Sequence, residues 1–293
     1  MRKRRTLAAA RTLLGRGLHS GAPVNMTLRP AAAGSGIVFV RSDLDGIRIP
    51  ALIEFAGPSF YATVLQRGGA TVSTIEHLMA ALYAMQVDDL DIVLDAGEVP
   101  ILDGSSKPFV AEILAAGFKE HDVLREYLHI TRPVTVEHED KRISVHPCPE
   151  FRVTYAIDFD HPALGYQELT ASLWRADQFV EKLAPARTFT FEHEVAALRG
   201  RGLALGGSLD NAVVLTEAGV LNPPLRFPDE FVRHKMLDLT GDLSLLGRPL
   251  RGHVVAYRAG HDLHGRLARA IAEAKDAWYL APWLEAPLES ASP

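Results

Sequence analysis

The stretch FVRHKMLDLTGD, residues 231–242, contains two patterns, one that indicates a helix and one that indicates a functional site. Four apolar residues recur at helical spacing: Val232, Met236 and Leu239 within the stretch, and Leu243 directly after it. Asp229, which comes directly after Pro228, can cap the first turn. The spacing predicts a helix whose apolar stripe faces the core.

A second pattern lies on another face of the same predicted helix. His234 and Asp238 are four residues apart and therefore one turn apart, and Asp242 follows a further turn along. An imidazole and a carboxylate at this spacing can bind one divalent ion together. A solvated polar face with a His–Asp hydrogen bond is the alternative. A metal site therefore needs a further ligand from elsewhere in the chain.

Composition limits the classes of function. With 293 residues, of which 47% are hydrophobic, the chain can bury one large core or, more in keeping with its length, two smaller ones. A net charge of -5 argues against a nucleic-acid-binding protein. The basic residues 1–5 resemble the start of a signal peptide, but Arg11 and Arg16 interrupt the apolar run that follows. We therefore predict no export signal and no transmembrane span, and a single cysteine, Cys148, agrees with a reducing cytoplasm.

The order of elements predicts two similar α+β units. In the first unit, short apolar runs between Gly and Pro breaks predict strands at 24–28, 37–40, 47–49 and 52–55, then a helix at 71–85, a strand at 90–94 and a helix at 108–116. After a linker at 118–128, strands at 128–130, 134–136, 143–145 and 153–157 begin the pattern again. We expect domains at 1–122 and 128–282, followed by a frayed tail at 283–293.

The helix predicted at 71–85 supplies the candidate third ligand. Ser73 and Glu76 have the spacing of a capping box, and His77 follows. His77 shares its side of the helix with small alanines, which would let another element approach closely. Two simpler interpretations stay open: Glu76 only caps the helix, and His77 is an interior histidine with ordinary hydrogen bonds.

Two later stretches complete the candidate site. Residues 200–208 are rich in glycine yet apolar, which is typical either of a groove for a greasy ligand or of an ordinary connection. His261 lies between a strand predicted at 253–257 and a helix predicted at 263–274. Reactive side chains are often held at such a junction.

These residues can be assembled into one chemical hypothesis. A catalytic zinc takes three protein ligands and leaves one position open, and His77, His234 and Asp238 would supply that number from two helices. Glu76 could then act as the general base, and His261 could protonate a leaving group or steady an oxyanion. Asp242 could orient His261 and favour its cation. The spacing alone is a weak metal signal, because no His-Glu-x-x-His motif and no paired-cysteine motif is present.

The sequence also resembles a known family. The segments that carry the resemblance are TIEHLMAAL (74–82), VPILDGSS (99–106), IDFDHP (157–162), RTF (187–189), GGS (206–208), FVRHK (231–235) with Asp238 and Asp242, and AGH (259–261). In this order they resemble the UDP-3-O-acyl-N-acetylglucosamine deacetylases, zinc amidases that commit their substrate to lipid A synthesis. The resemblance runs from Gly17 to about Trp278.

The resemblance implies a role for each matching residue. His77, His234 and Asp238 would be zinc ligands, Glu76 the base, His261 the acid or electrostatic partner, Thr188 a polarising hydrogen-bond donor and Lys235 a contact near the substrate. Phe189, Leu203, Gly207 and Ser208 match the region that shapes the acyl-chain tunnel of the family, and Lys141 and Phe159 match its nucleotide-binding region. This chain has Thr190 where the family usually has glycine.

The resemblance also implies the fold, the reaction and the partners. Two α+β domains would pack with their helices between two outer sheets. Zinc, or ferrous iron in the cell, would assist hydrolysis of the 2-acetamido group of an acylated UDP-sugar to a free amine and acetate, by a cytoplasmic monomer. Two alternatives stay open: a non-catalytic protein that binds nucleotide-sugar or acyl ligands, and an amidase for another N-acetylated sugar.

Overall fold

A computed structural model describes residues 1–59, 61–173 and 175–283. The predicted tail therefore lies, apart from its first residue, outside the described residues. The described residues form six α-helices: α1 (Glu76–Ala84), α2 (Lys107–Ala116), α3 (Ala176–Lys182), α4 (Glu192–Gly200), α5 (Glu230–Leu243) and α6 (His261–Glu273).

Nineteen strands surround these helices within the described ranges. They are β1 (Lys3–Leu7), β2 (Arg11–Arg16), β3 (Pro23–Pro30), β4 (Ile37–Arg41), β5 (Ile47–Pro50), β6 (Val64–Arg67), β7 (Ala70–Ser73), β8 (Leu90–Leu94), β9 (Phe118–Leu124), β10 (Glu126–Ile130), β11 (Val134–His138), β12 (Lys141–His146), β13 (Phe151–Phe159), β14 (Gly165–Ser172), β15 (Phe189–Phe191), β16 (Val213–Thr216), β17 (Gly219–Val220), β18 (Leu250–Tyr257) and β19 (Trp278–Pro282).

Two large sheets form the outer layers. The first has the order β2-β3-β8-β4-β5, in which β4 and β8 are parallel and the other pairs antiparallel. The second has seven strands around β18, which pairs antiparallel with β12 and parallel with β13 and β10. Strands β11, β14 and β19 extend it through β12, β13 and β10. The short strands β15, β16 and β17 form a separate three-stranded sheet.

The helices lie between the two large sheets. Helix α2 packs against strand β2 and helix α1, α1 packs against α5, and α5 packs against α6. Beyond them, α5 contacts β13 and β14, and α6 contacts β11 and β12. The predicted α+β class, with helices between two outer sheets, is confirmed. No helix in the described part of the chain is both long and apolar enough to span a membrane.

Helix α5 is buried on all sides. Its predicted apolar stripe is fully covered, with Val232, Met236, Leu239 and Leu243 each at most 1% exposed. The polar face is covered as well, because α1 packs on it; His234 and Asp238 are 2% and 1% exposed. The alternative of a solvated polar face is therefore wrong. Asp229 is the residue before the helix, but its carboxylate binds the guanidinium of Arg233 and makes no cap hydrogen bond.

The N-terminal end of α1 differs from the prediction. The helix begins at Glu76, and residues 70–73 are strand β7, paired with β6. The Ser73 hydroxyl donates to the carbonyl of Gly97, and the Glu76 carboxylate accepts the backbone N–H of Thr63, at 3.0 Å. The capping-box interpretation is therefore wrong, because both side chains bind groups that come from outside the helix.

Two other predicted segments also differ. Residues 53–55 form a turn of 3-10 helix in place of a strand. The predicted linker at 118–128 contains β9, which pairs with β1, and the start of β10. Pairing between elements so far apart in sequence leaves no local signal. A domain boundary between 122 and 128 stays a prediction.

The close packing of α1 on α5 can be tested at Gly241. A Cβ at this position would lie 2.0 Å from the backbone oxygen of Glu76, so the two helices would have to separate. We expect Gly241→Ala to lower the free energy of unfolding in urea by about 1–3 kcal/mol.

The matched control is Gly265→Ala in α6, where the added Cβ meets only the end of the Arg269 side chain, at 3.6 Å. Because alanine favours the helix, this change should raise the stability by about 0.5–1 kcal/mol. Equal stability of Gly241→Ala and the unaltered protein would contradict the packing described here.

Candidate active site

The predicted ligands from α1 and α5 lie together. The Nε2 atoms of His77 and His234 are 3.5 and 3.3 Å from Oδ1 of Asp238, and the imidazole rings are 4.9 Å apart, edge to face. One ligand atom of each residue lies within 4.8 Å of the others. All three side chains are almost completely buried.

The donor set fits a divalent cation. Oδ1 of Asp238 is buried and has no hydrogen-bond partner, although an unsatisfied buried carboxylate oxygen is costly. Both imidazoles present Nε2 to this oxygen, and Nδ1 of His234 donates to the carbonyl of Ala186, at 3.1 Å, which leaves its Nε2 free to bind a metal. Two imidazole nitrogens and one carboxylate oxygen are the ligands of many catalytic zinc sites.

The charges of this cluster agree with metal binding. Burial lowers the pKa of His234 to about 3, so its imidazole is neutral, as a ligand must be. Burial opposes ionisation of Asp238, but His234 and Lys235 outweigh it and hold the pKa of this carboxyl well below its usual value. The Lys235 ammonium donates to Oδ2 of Asp238, at 2.7 Å. Oδ1 of an ionised Asp238 therefore stays available for a cation.

Glu76 lies beside this cluster, as predicted. Its side chain is 3% exposed and borders the same cavity as His77. Burial raises the pKa of the Glu76 carboxyl. This is the direction opposite to the one expected from a neighbouring dication, which would favour the carboxylate. Without a cation, the protein alone does not keep this carboxyl strongly acidic.

His261 is hydrogen-bonded to Asp242, as predicted. Its Nδ1 donates to Oδ2 of Asp242, at 2.8 Å, and its Nε2 lies 3.9 Å from Oδ2 of Asp238. Burial lowers the pKa of His261, but Asp242 outweighs it and raises the pKa to about 9. The reciprocal effect lowers the pKa of Asp242 to about 2. His261 is therefore a cation at neutral pH.

Two residues of this group were missed in the sequence. The hydroxyl of Thr63 donates to Oδ1 of Asp242, at 2.5 Å, and Nδ1 of His264 donates to its Oδ2, at 2.8 Å. Nε2 of His264 in turn bonds the hydroxyl of Tyr155, at 3.0 Å. His264 had a usable signal, since it lies three residues after His261 and therefore on the same helix face. Thr63 had none, because it comes from a distant loop.

A buried ion pair ties the RTF segment to α5. Glu230 is fully buried and accepts both the backbone N–H and the guanidinium of Arg187, each at 2.9 Å. This pair holds β15 alongside the start of α5 and so brings Thr188 and Phe189 to the cavity that His234 borders.

Two cavities share a wall that includes Thr188 and Phe189. A polar one of about 580 Å³ borders the metal cluster, Glu76 and His261, and Lys141, Phe159 and Lys235 also line it. An apolar one of about 560 Å³, called here the apolar groove, is lined by loop residues 18–19, by segment 188–190, by α4 and by segment 204–209. Five residues border both cavities: Leu18, Tyr61, Thr188, Phe189 and Thr190.

The predicted substrate residues divide between these cavities. Lys141 and Phe159 border the polar one, Gly207 and Ser208 border the groove, and Leu203 borders neither. Of the glycine-rich stretch at 200–208, only the later part, from Ala204, lines the groove. Thr190, the departure from the family pattern, lies in strand β15, a conformation that β-branched residues favour.

Comparison with known proteins agrees with this geometry. Residues 4–273 match the sequence model of the family described as UDP-3-O-acyl N-acetylglycosamine deacetylase. A protein of Myxococcus xanthus (strain DK1622) with the name UDP-3-O-acyl-N-acetylglucosamine deacetylase is 47% identical over 287 residues, 97% of this chain and 91% of that protein.

Two further proteins of the same name are similar. The one from Syntrophotalea carbinolica is 47% identical over 277 residues, 94% of this chain and 89% of that protein. The one from Hahella chejuensis is 43% identical over 289 residues, 98% of this chain and 96% of that protein. With a family match over nearly its whole length and relatives at this identity, the chain belongs to the UDP-3-O-acyl-N-acetylglucosamine deacetylase family.

Proposed function

We propose that this protein hydrolyses the 2-acetamido group of UDP-3-O-acyl-N-acetylglucosamine to the free amine and acetate, a step of lipid A biosynthesis. The observation that carries the proposal is the buried cluster of His77, His234 and Asp238, with its unsatisfied Oδ1, in a polar cavity that shares Thr188 and Phe189 with an apolar groove. An acylated nucleotide sugar needs both surroundings. The protein would act as a monomer in the cytoplasm.

His77, His234 and Asp238 would hold one divalent ion, zinc or, in the cell, ferrous iron. When bound, such an ion supplies Lewis acidity, which lowers the pKa of water and offsets negative charge on a carbonyl oxygen. Two imidazole donors and one carboxylate suit both metals. The side chains of the protein then have to orient the substrate and move protons.

The two cavities suggest how the substrate is oriented. The acyl chain would lie in the groove along Phe189, Gly207 and Ser208, and the nucleotide would lie towards Lys141 and Phe159. Thr188 borders both cavities, where its hydroxyl can donate to the acetamide carbonyl. Lys235, already bound to Asp238, adds positive charge to the side of the cavity where negative charge develops.

Proton transfer can be assigned to two residues. Glu76 would accept a proton from the attacking water as its oxygen bonds to the acetamide carbon. His261, held as a cation by Asp242, would stabilise the oxyanion or donate its proton to the sugar nitrogen as the carbon–nitrogen bond breaks. The products are the free amine and acetic acid, which ionises to acetate, and the enzyme returns to its starting state when the proton on Glu76 passes to His261.

The metal ligands can be tested by one substitution. We expect His234→Ala to lose the bound metal and the activity together, because a buried donor is removed from a set of three. Metal content is measured by atomic emission on protein dialysed against metal-free buffer. His138→Ala, at an exposed strand end, is the control and should keep both. Stoichiometric zinc of normal affinity in His234→Ala would refute the assignment.

Substrate assays test the reaction and the role of the groove. The protein should release acetate from UDP-3-O-acyl-N-acetylglucosamine, detected together with the free amine by mass spectrometry. Since each buried methylene contributes about 0.8 kcal/mol, shortening the acyl chain by two carbons should weaken binding roughly tenfold. Affinity that is independent of chain length would exclude the groove. Binding without any acetate release would favour a non-catalytic binding protein, and equal turnover of sugars without an acyl chain would favour an amidase of other specificity.

The pH dependence of activity tests the proton assignments. Asp242 raises the pKa of His261 to about 9 from 6.5, and a bound dication opposes the rise, so the alkaline limb should lie between these values. In Asp242→Asn the carboxylate that raises this pKa is lost, and the limb should move to lower pH by roughly one unit or more. Glu76→Ala should keep the metal and lose about 100- to 10,000-fold in rate.

The control for the pH profile is Asp262→Asn. Asp262 is next to His261 in the chain, but it is largely exposed and pairs with Arg266. The alkaline limb should therefore stay in place. An unmoved limb in Asp242→Asn together with near-normal activity of Glu76→Ala would show that both roles are wrongly assigned.

A further inference from the structure

Glu98 is a buried carboxylate that the proposed reaction does not use. It is 3% exposed and follows strand β8, where it bridges to Ser73. Oε1 accepts the backbone N–H of His19, at 2.8 Å, and the hydroxyl of Thr74, at 2.9 Å. Oε2 accepts the backbone N–H of Ser20, at 2.8 Å, and its hydroxyl, at 2.6 Å. Three of these four donors belong to the loop formed by residues 17–21.

The loop formed by residues 17–21 lies close to the carboxylate of Glu98. All four partners are donors, and a carboxylate, with two acceptor oxygens, satisfies them together. The loop comes so near that a Cβ on Gly17 would lie 2.2 Å from Oε2 of Glu98. Glu98 therefore binds the backbone of the loop and holds it in one conformation.

The loop is in turn joined to the apolar groove. The carbonyls of Leu18 and His19 accept the backbone N–H groups of Gly206 and Leu205, at 3.0 and 3.1 Å. Leu18 and His19 form one part of the groove wall, and segment 204–209, to which they are hydrogen-bonded, forms another part. A displacement of the loop would therefore move two adjoining parts of the groove wall.

We propose that Glu98 is a positioning residue that holds loop 17–21 as a wall of the apolar groove and thereby determines how strongly the enzyme prefers long acyl chains, an inference that rests on the proposed function. Glu98 touches neither the metal ligands nor the cavity that they border. Leu18 is the loop residue that also borders that cavity. Because both Leu18 and His19 border the groove, we expect the loss of Glu98 to act on binding of the acyl chain and to leave the chemical step unchanged.

The first test is Glu98→Gln, which keeps the shape and turns part of the carboxylate into a donor facing donors. With a long-chain acyl substrate, we expect KM to rise about tenfold, the effect of losing one charge-assisted hydrogen bond. KM for the O-acetyl analogue and kcat for both substrates should change less than about twofold. Glu120→Gln, an exposed site on β9, is the control and should leave all four constants unchanged.

A second pair of variants removes one hydroxyl each from the same carboxylate. Ser20→Ala removes a donor on the loop, and Thr74→Val removes one that is not on the loop and keeps the β-branched shape. Ser20→Ala should raise KM for the long-chain substrate more than Thr74→Val does. If thermal unfolding shows that Glu98→Gln does not fold, this pair of variants tests whether Glu98 positions the loop.

Three outcomes would overturn the inference. They are an unchanged KM in Glu98→Gln, an equal rise for long and short acyl chains, and equal effects of Ser20→Ala and Thr74→Val. Failure of the proposed function is distinguishable, because then the unaltered protein itself would release no acetate from the acylated UDP-sugar.

Discussion

The close contact between helices α1 and α5 is the constraint on which the site depends. Gly241 lies so close to the backbone of Glu76 that no side chain would fit at position 241, and Ala80 and Ala81 of α1 are fully buried. Small residues allow helix axes to approach, and the approach brings His77 of one helix against His234 and Asp238 of the other. The site is therefore made at the interface between the two layers of helices, and neither layer contains it alone.

Burial at this interface determines the protonation of the site. Glu76, Asp238 and Asp242 bring three carboxyl groups into a region with almost no solvent, which is unfavourable unless cations or hydrogen bonds compensate them. His261 and Lys235 supply positive charge, and Thr63 and His264 supply neutral donors. Oδ1 of Asp238 is left uncompensated. Such an arrangement costs stability and is typical of a site selected for its chemistry.

The two cavities, one polar and one apolar, would suit an extended, amphipathic substrate. The walls of the apolar groove come from elements that are distant in sequence: loop 17–21, strand β15, helix α4 and segment 204–209. Buried carboxylates join these elements at two places, Glu230 with Arg187 and Glu98 with the loop. In both cases a buried carboxylate that borders neither cavity binds the backbone of a segment that does.

The sequence by itself determined the features that depend on local spacing. Helical periodicity predicted α5 and its row of His234, Asp238 and Asp242, and the order of motifs identified the family. Only the tertiary structure decided which long-range partners these groups have. Ser73 and Glu76 have the spacing of a capping box. In the structure, however, Ser73 belongs to strand β7, and the carboxylate of Glu76 accepts the N–H of Thr63. Strand β9, the hydroxyl of Thr63 on Asp242 and the loop bound to Glu98 were likewise not predicted, because hydrogen bonds between residues far apart in the chain leave no periodic pattern in the sequence.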